Sequence, residues 1–418
     1  MLEKNRPINV KIDRLGHQGD GIAMDSGQAL YVPFTLPGEE VEVETAGERG
    51  TLTKILTPSP SRADPVCPHF GTCGGCQLQH MAAEPLADFK RDRVVTALAQ
   101  RGLDEVPVNA TLSVGSASRR RLAMKARRVG REVKLGFMEP KGHQLIDIGA
   151  CPVATAKLTA ALPALREVLD EVMGRKTKVD VQLTQSDNGL DLVLHIARDP
   201  TLEEIQTLVN FGEAQDYARL SWNDEVLAAR RDAYMAWGPL KVVPPPGAFV
   251  QAAKAGEQAM QKLVVEAIGP QARHVADLFA GSGTFTGPLA AQAHVTAYES
   301  SKPMMRGLQA ASDKASGQGL CKPVKAKPRD LMLDPLIPIE LEDFDAVIFD
   351  PPRAGAKKQA DEIANSDVPV IIGVSCNPAS FARDARTLVD GGYTLEAVTP
   401  IDQFTWSHHT EMVGVFRR

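Results

Sequence analysis

The 418 residues are too many for one ordinary hydrophobic core, so two or three domains are expected. Apolar residues make up 43% and charged residues 24%, as in a folded soluble chain, and the absence of any run of about 18 apolar residues excludes a membrane-spanning helix. The net charge of −5 speaks against whole-surface attraction to nucleic acid, and the charged start MLEKNRPINVKIDR lacks the apolar stretch of a secretion signal, so a cytoplasmic protein is expected.

Residues 1–60 alternate apolar and polar side chains in INVKIDRL, ALYVPF and EEVEVETA, with Gly19, Gly21, Gly27 and Gly38 between them. This pattern predicts a small antiparallel barrel of the OB type, a fold whose surface commonly binds oligonucleotides. A Pro- and Ser-rich linker, TPSPSRADP, follows. Residues 61–240 are mixed. They hold three cysteines within ten residues (Cys67, Cys73, Cys76), a helical stretch around Ala83–Arg101, Cys151, and the strands VDVQLTQ and LDLVLHIA around a turn at Ser186–Gly189. Between Arg119 and Lys134 stand eight Lys/Arg against one acid, Glu132, a strip suited to local phosphate contact or to a solvated hairpin. Clustered cysteines in a reducing compartment bind metal or carry chemistry more often than they pair, and their spacing leaves zinc and iron–sulfur both open. The Pro-rich WGPLKVVPPPGAF marks the next boundary. From residue 241 onward helices alternate with apolar strands (HVADLFA, HVTAYES, DAVIFD, VPVIIGVS, YTLEAVTPI, TEMVGVFR), which predicts a parallel sheet covered on both faces.

Two places in that last region carry chemistry. HVADLFA runs directly into GSGTFTG, where Gly281 and Gly283 let the backbone turn tightly and approach a ligand. Glu299 ends the next strand, where a carboxylate can accept hydrogen bonds from ribose hydroxyls. With Asp277, Phe279 and Asp350-Pro351-Pro352, and with the dinucleotide fingerprint only partly met, the set points to S-adenosylmethionine rather than NAD. VPVIIGVS ends in Cys376-Asn377-Pro378, so Asp350 and Cys376 both fall at carboxyl ends of strands, facing the ligand cleft. A thiol there is a candidate nucleophile, and Glu411 at the start of the last strand is a candidate base.

The segments FAGSGTFT, Asp350-Pro351-Pro352-Arg353, Ser375-Cys376-Asn377-Pro378 and His408-His409-Thr410-Glu411 resemble the RNA uracil-C5 methyltransferases. Cys67, Cys73-Gly74-Gly75-Cys76 and Cys151 resemble the iron–sulfur branch of that family, similar to 23S rRNA enzymes, and residues 1–60 resemble its TRAM domain. The resemblance covers essentially the whole chain, with the motifs in the family's order. It implies an α/β fold: a Rossmann-like class I S-adenosylmethionine methyltransferase domain (241–418), a central α+β iron–sulfur domain (61–240) and an N-terminal OB-like barrel (1–60). It implies Cys376 as nucleophile, Glu411 as proton acceptor, cofactor contacts from Gln251, Phe279, Thr284, Glu299, Asp330 and Asp350, and a [4Fe–4S] cluster on Cys67, Cys73, Cys76 and Cys151. The expected product is 5-methyluridine in RNA, 23S rRNA ahead of tRNA, made by a monomer without a membrane partner. Two positions depart from the family pattern, Ala253 and Asp330, each where asparagine is usual.

Rival readings fare worse. An amino-group methyltransferase would carry an aromatic after Asp350-Pro351-Pro352, where Arg353 stands. A non-catalytic iron–sulfur RNA-binding protein would have lost the nucleophile or the glycine loop, and neither is lost.

Overall fold

The computed structural model describes residues 7–25, 27–140, 142–174 and 177–418; the first six residues of the charged start lie outside them. The N-terminal strands order as Ile8–Lys11, Glu40–Ala46, Arg49–Thr57, Gln28–Val32, Gly21–Asp25 and Arg14–Leu15. The two outermost strands are consecutive in the chain, and Asp13 N donates to Ile22 O at 2.9 Å, so the sheet curls back on itself as the alternation predicts. Ile12, Ala23, Leu30, Val32, Val41 and Val43 fill its interior. Gly21–Asp25 and the mostly polar Arg49–Thr57 are strands that the sequence reading does not single out.

A second sheet orders as Leu145–Asp147, Glu132–Met138, Arg121–Val129, Lys178–Ser186, Gly189–His195, Tyr217–Trp222 and Glu225–Ala229. Helices Ala156–Val172 and Leu202–Ala214 cover one face of it, each capped at its start by a threonine, Thr155 and Thr201. The basic strip supplies the hairpin of the second and third strands, where Lys125 and Arg127 lie opposite Gly136 and Lys134.

The third sheet orders as Val324–Pro328, His294–Glu299, His274–Leu278, Ala346–Phe349, Val370–Ser375, Glu411–Arg417, Thr394–Asp402 and Leu112–Ser113. Its first five strands run parallel, and Glu411–Arg417 inserts antiparallel between Val370–Ser375 and Thr394–Asp402. That insertion carries Glu411 to the edge where Val370–Ser375 ends. Two packed layers cover the sheet's faces, and both recruit residues from before position 241. Val94, Ala97 and Leu98 of helix Ala83–Ala99 lie in one. Met235, Trp237, Leu240 and Val242 of a short hairpin lie in the other. Among the described residues no helix is long and apolar enough to cross a membrane.

Candidate active site

The parallel strands stop along one edge of the third sheet, and the chemistry collects there. Strand His274–Leu278 is buried apart from its first residue, and the chain leaves it through Phe279, whose φ of 60° is unfavourable for a bulky side chain. Gly281 (φ 55°) and Gly283 (φ 104°) complete the turn. A Cβ on Gly281 would meet nothing within 4 Å, so this stretch of backbone borders open space, whereas one on Gly283 would lie 2.6 Å from Leu308 Cδ1. Gly281 N donates to Glu299 Oε2 at 3.3 Å, and Glu299 Oε1 accepts from Ser300 Oγ at 2.8 Å and Ser301 N at 2.9 Å. Arg329 N donates to Glu299 O at 2.9 Å, bringing Asp330 beside this group; its Oδ1 accepts from Met332 N at 3.0 Å. Asp277 is fully buried and accepts from Thr286 Oγ1 at 2.5 Å, while its Oδ1 has no partner among the described residues. Burial pushes its carboxyl up to about 7. Thr284 is partly exposed at the far side of the loop, with its carbonyl tied to Gln261 Nε2 at 2.8 Å. An open glycine backbone, acids at two neighbouring strand ends and a half-satisfied buried carboxyl fit the nucleoside and amino-acid portions of S-adenosylmethionine.

Cys376 follows the last residue of strand Val370–Ser375. Asn377 caps helix Pro378–Asp390 through its side chain and donates Nδ2 to Arg353 O at 3.0 Å; Ser380 Oγ donates to the same carbonyl at 3.1 Å. The loop holding Cys376 and the loop after Asp350 are therefore locked together. Burial, then the Glu411 and Asp350 carboxylates, push the Cys376 thiol up to about 11, and Arg353 opposes them. Glu411, only 4% exposed, is pushed up to about 7 by burial. Asp350 rises well above the usual carboxylate range through burial and the neighbouring Glu411 and Asp277.

The sequence reading leaves several groups here unassigned. Gln403 donates Nε2 to Gln251 Oε1 at 2.6 Å and to Glu411 Oε1 at 3.2 Å. Lys90, buried on helix Ala83–Ala99, forms an ion pair with Asp402 and donates to Phe404 O at 3.0 Å, fixing the segment on either side of Gln403. Arg120 corrects an expectation. Counted in the basic strip, it is 4% exposed, donates Nε to Gln251 O at 3.0 Å and pairs through Nη2 with Glu257 Oε2 at 2.5 Å. Lys125 and Arg128 also form ion pairs, with Asp180 and Asp170. Burial and pairing are properties of the fold that a count of charges along the chain does not carry.

Cys67, Cys73, Cys76 and Cys151 line a single cavity of about 290 Å³, which Arg119, Gln403, Phe404 and His409 also border. Burial pushes the Cys73, Cys76 and Cys151 thiols up, and the neighbouring cysteines add to the rise. Among the described residues no three His, Cys, Asp or Glu side chains converge closely enough to hold one metal ion. A tetrahedral zinc site would need each sulfur about 2.3 Å from the ion.

The sheet order, the glycine turn and the acid at the end of the second strand define a class I S-adenosylmethionine-dependent methyltransferase. Residues 244–418 match the family model described as tRNA (Uracil-5-)-methyltransferase, and residues 2–45 match the TRAM domain. An uncharacterized RNA methyltransferase of Caulobacter vibrioides is 43% identical over 98% of this chain and 100% of its own. The 23S rRNA (uracil(1939)-C(5))-methyltransferase RlmD of Shewanella sediminis is 30% identical over 98% of this chain and 95% of its own. The crystal structure of the Pyrococcus abyssi tRNA (uracil-54, C5)-methyltransferase, in complex with S-adenosyl-L-homocysteine, shares the fold at a TM-score of 0.75 and 21% identity, covering 98% of this chain and 99% of that one. The chain belongs to the RNA uracil-C5 methyltransferase family and is an S-adenosylmethionine-dependent enzyme.

Proposed function

We propose that this enzyme makes 5-methyluridine in 23S rRNA through covalent addition of Cys376 to the uracil ring. The observation that carries the mechanism is the meeting of Cys376, Asp350 and Glu411 at one sheet edge, near enough for each carboxylate to raise the thiol's proton affinity. Uracil C5 is electron-poor and needs activation before it can accept an electrophile. The Cys376 thiol releases its proton to water and the thiolate sulfur bonds to C6; the C5–C6 π pair moves onto C5 and the C4 carbonyl. Bound S-adenosylmethionine, held by Gln251, Phe279, Thr284, Glu299, Asp330 and Asp350, supplies the electrophilic methyl group that C5 accepts. Glu411 then takes the proton from C5, the π bond re-forms and the C6–S bond breaks. With its carboxyl near 7, Glu411 can act as a base at neutral pH.

A [4Fe–4S] cluster is assigned to Cys67, Cys73, Cys76 and Cys151. Four thiols bordering one cavity support this reading. Such a cluster would cross-link the 67–76 loop to Cys151, and methylation of uracil needs no electron from it. We assign the three domains at 1–60, 61–240 and 241–418, with helix Ala83–Ala99 and hairpin 235–242 packing into the third, in a cytoplasmic monomer. The target uridine leaves its stack to reach Cys376. The half-exposed strip residues and the barrel hold the flanking phosphates, and 30% identity to a 23S rRNA enzyme over nearly the full chain favours 23S rRNA over tRNA.

The test incubates the enzyme and its Cys376→Ala variant with S-adenosylmethionine and unmodified 23S rRNA, 16S rRNA or tRNA, followed by mass spectrometry of the nucleosides. The expected result is 5-methyluridine in 23S rRNA alone and none with the variant. Product in tRNA alone would overturn the substrate, and undiminished product from the variant would overturn the thiol mechanism.

A further inference from the structure

We propose that Gln403 is a positioning residue that sets the orientations of Glu411 and Gln251 together, so that proton removal and the cofactor pocket depend on one buried amide. The proposal rests on the reading of Glu411 as the proton acceptor. Gln403 follows strand Thr394–Asp402 and is 2% exposed. Its Oε1 accepts from Ala253 N at 3.3 Å, and its Nε2 donates to Gln251 Oε1 at 2.6 Å and Glu411 Oε1 at 3.2 Å. The partners fix which way the amide faces. Ala253 offers only a donor, while the Gln251 oxygen is an acceptor, as is the Glu411 carboxylate in its basic form. Reversing the amide would set oxygen against both acceptors and nitrogen against the Ala253 N–H.

The 251–253 segment and Glu411 thus meet on one side chain, and that side chain is itself held. Asp402, the preceding residue, is paired with buried Lys90, which also donates to the carbonyl of Phe404, the following residue. Helix Lys254–Ile268 approaches so closely that a Cβ on Gly256 would lie 2.8 Å from the Gln403 Cβ. The amide has little room to rotate away, and its donation to Glu411 is the one influence that offsets that carboxyl's burial. Among the described residues, Gln403 Nε2 is the side-chain donor to the Glu411 carboxyl. On the other arm, Gln251 Oε1 is committed to Gln403, which turns the Gln251 amide nitrogen away from that contact.

The experiment uses full-length enzyme with 23S rRNA or tRNA transcribed with [5-³H]uridine, whichever the unaltered enzyme methylates. Gln403→Met keeps the side-chain volume and loses both donors; Gln403→Glu keeps the length and cannot donate when ionised. Each is compared with Glu411→Gln and with the double variant Gln403→Met/Glu411→Gln, after melting curves confirm folding. Tritium release should slow about tenfold or more in each Gln403 variant, as expected for a lost hydrogen bond to a charged group. A methylated protein–RNA adduct stable in SDS should accumulate, because methyl transfer precedes proton removal. The S-adenosylmethionine Kd should rise several-fold, about 1 kcal/mol of lost orientation. In the Glu411→Gln background, Gln403→Met should slow the residual release no further. Wild-type release from either folded Gln403 variant, or independent slowing in the double variant, would overturn the proposal. Normal release from Glu411→Gln alone would overturn the proton-acceptor reading beneath it, an outcome visible without any change at Gln403.

Discussion

The two ends of the ligand edge are built by opposite means. Around Gly281 and Gly283 the site is main chain: a turn of positive φ, an open glycine face and one carboxylate bound by its neighbouring backbone and hydroxyl groups. Around Cys376 it is side chains drawn from residues 90, 120, 251, 350, 403 and 411, nearly all buried and several charged or sharing protons. The first end fails when backbone geometry fails, and the second fails when a charge or donor is lost. Substitutions at the two ends should therefore separate cofactor binding and fold from the chemical step.

The largest effect is expected at Glu411. If Glu411 is the proton acceptor as proposed, Glu411→Gln should lose turnover by about 10²–10⁴, the usual cost of removing a general base, with little change in cofactor affinity. Its stability should move the other way. Burial raises the Glu411 carboxyl from 4.5 to about 7, so the folded chain holds this proton more tightly than the unfolded one. The stability it contributes is complete below about 4.5 and is lost as pH rises through about 7. A neutral glutamine escapes that loss. Melts at pH 5 and pH 8 should show the variant gaining on its parent at the higher pH by on the order of 1–3 kcal/mol. Equal melting at pH 8 would mean that the carboxylate is not strained by burial, and the catalytic end would lose its defining property.

Lys90→Met ranks next. It removes a cation that is fully buried against Asp402 and leaves that carboxylate without its charged partner. Breaking one half of a buried pair costs about 3–5 kcal/mol, and replacing both halves costs much less. Denaturant unfolding should show the loss, with substantial recovery in Lys90→Met/Asp402→Leu. The same variants should respond unequally in turnover. Asp402 Oδ1 also accepts from Phe404 N at 3.1 Å, so the double variant regains stability without regaining the fixed segment around Gln403.

How far the sequence reaches follows the same division. The glycine turn, the helix Ala83–Ala99 and the apolar strands of the third sheet are readable because each is written in neighbouring residues. Cys376 and Asp350 are readable because strand ends of a parallel sheet face the ligand. Strand Val324–Pro328 escapes notice because its residues, VKAKP, sit at the sheet edge and expose two lysines. The packing of helix Ala83–Ala99 onto the third sheet, the burial of Arg120 and the hub at Gln403 depend on contacts more than 100 residues apart. No local period encodes such contacts, and a count of basic residues places Arg120 on the surface because sequence charge carries no burial.

The smallest effects test the main-chain end, and there two adjacent glycines should behave differently. Both hold left-handed backbone that an alanine adopts at a cost of about 1 kcal/mol or more, so each substitution destabilises somewhat. Gly283→Ala adds a Cβ 2.6 Å from Leu308 Cδ1, the end of a flexible side chain that can shift within the apolar layer under the turn. Its total cost should reach about 1–3 kcal/mol and appear mainly in the melting temperature. Gly281→Ala puts its methyl group where the protein offers no contact within 4 Å, on the face proposed to receive the cofactor. It should melt nearer the parent yet bind S-adenosylmethionine at least about tenfold more weakly, a loss of about 1.4 kcal/mol. Turnover at saturating cofactor should survive in both, because Cys376 and Glu411 stand on other strands. If instead Gly281→Ala bound the cofactor normally and lost turnover, the open face would belong to the target base, and the division between a main-chain binding end and a side-chain catalytic end would have to be redrawn.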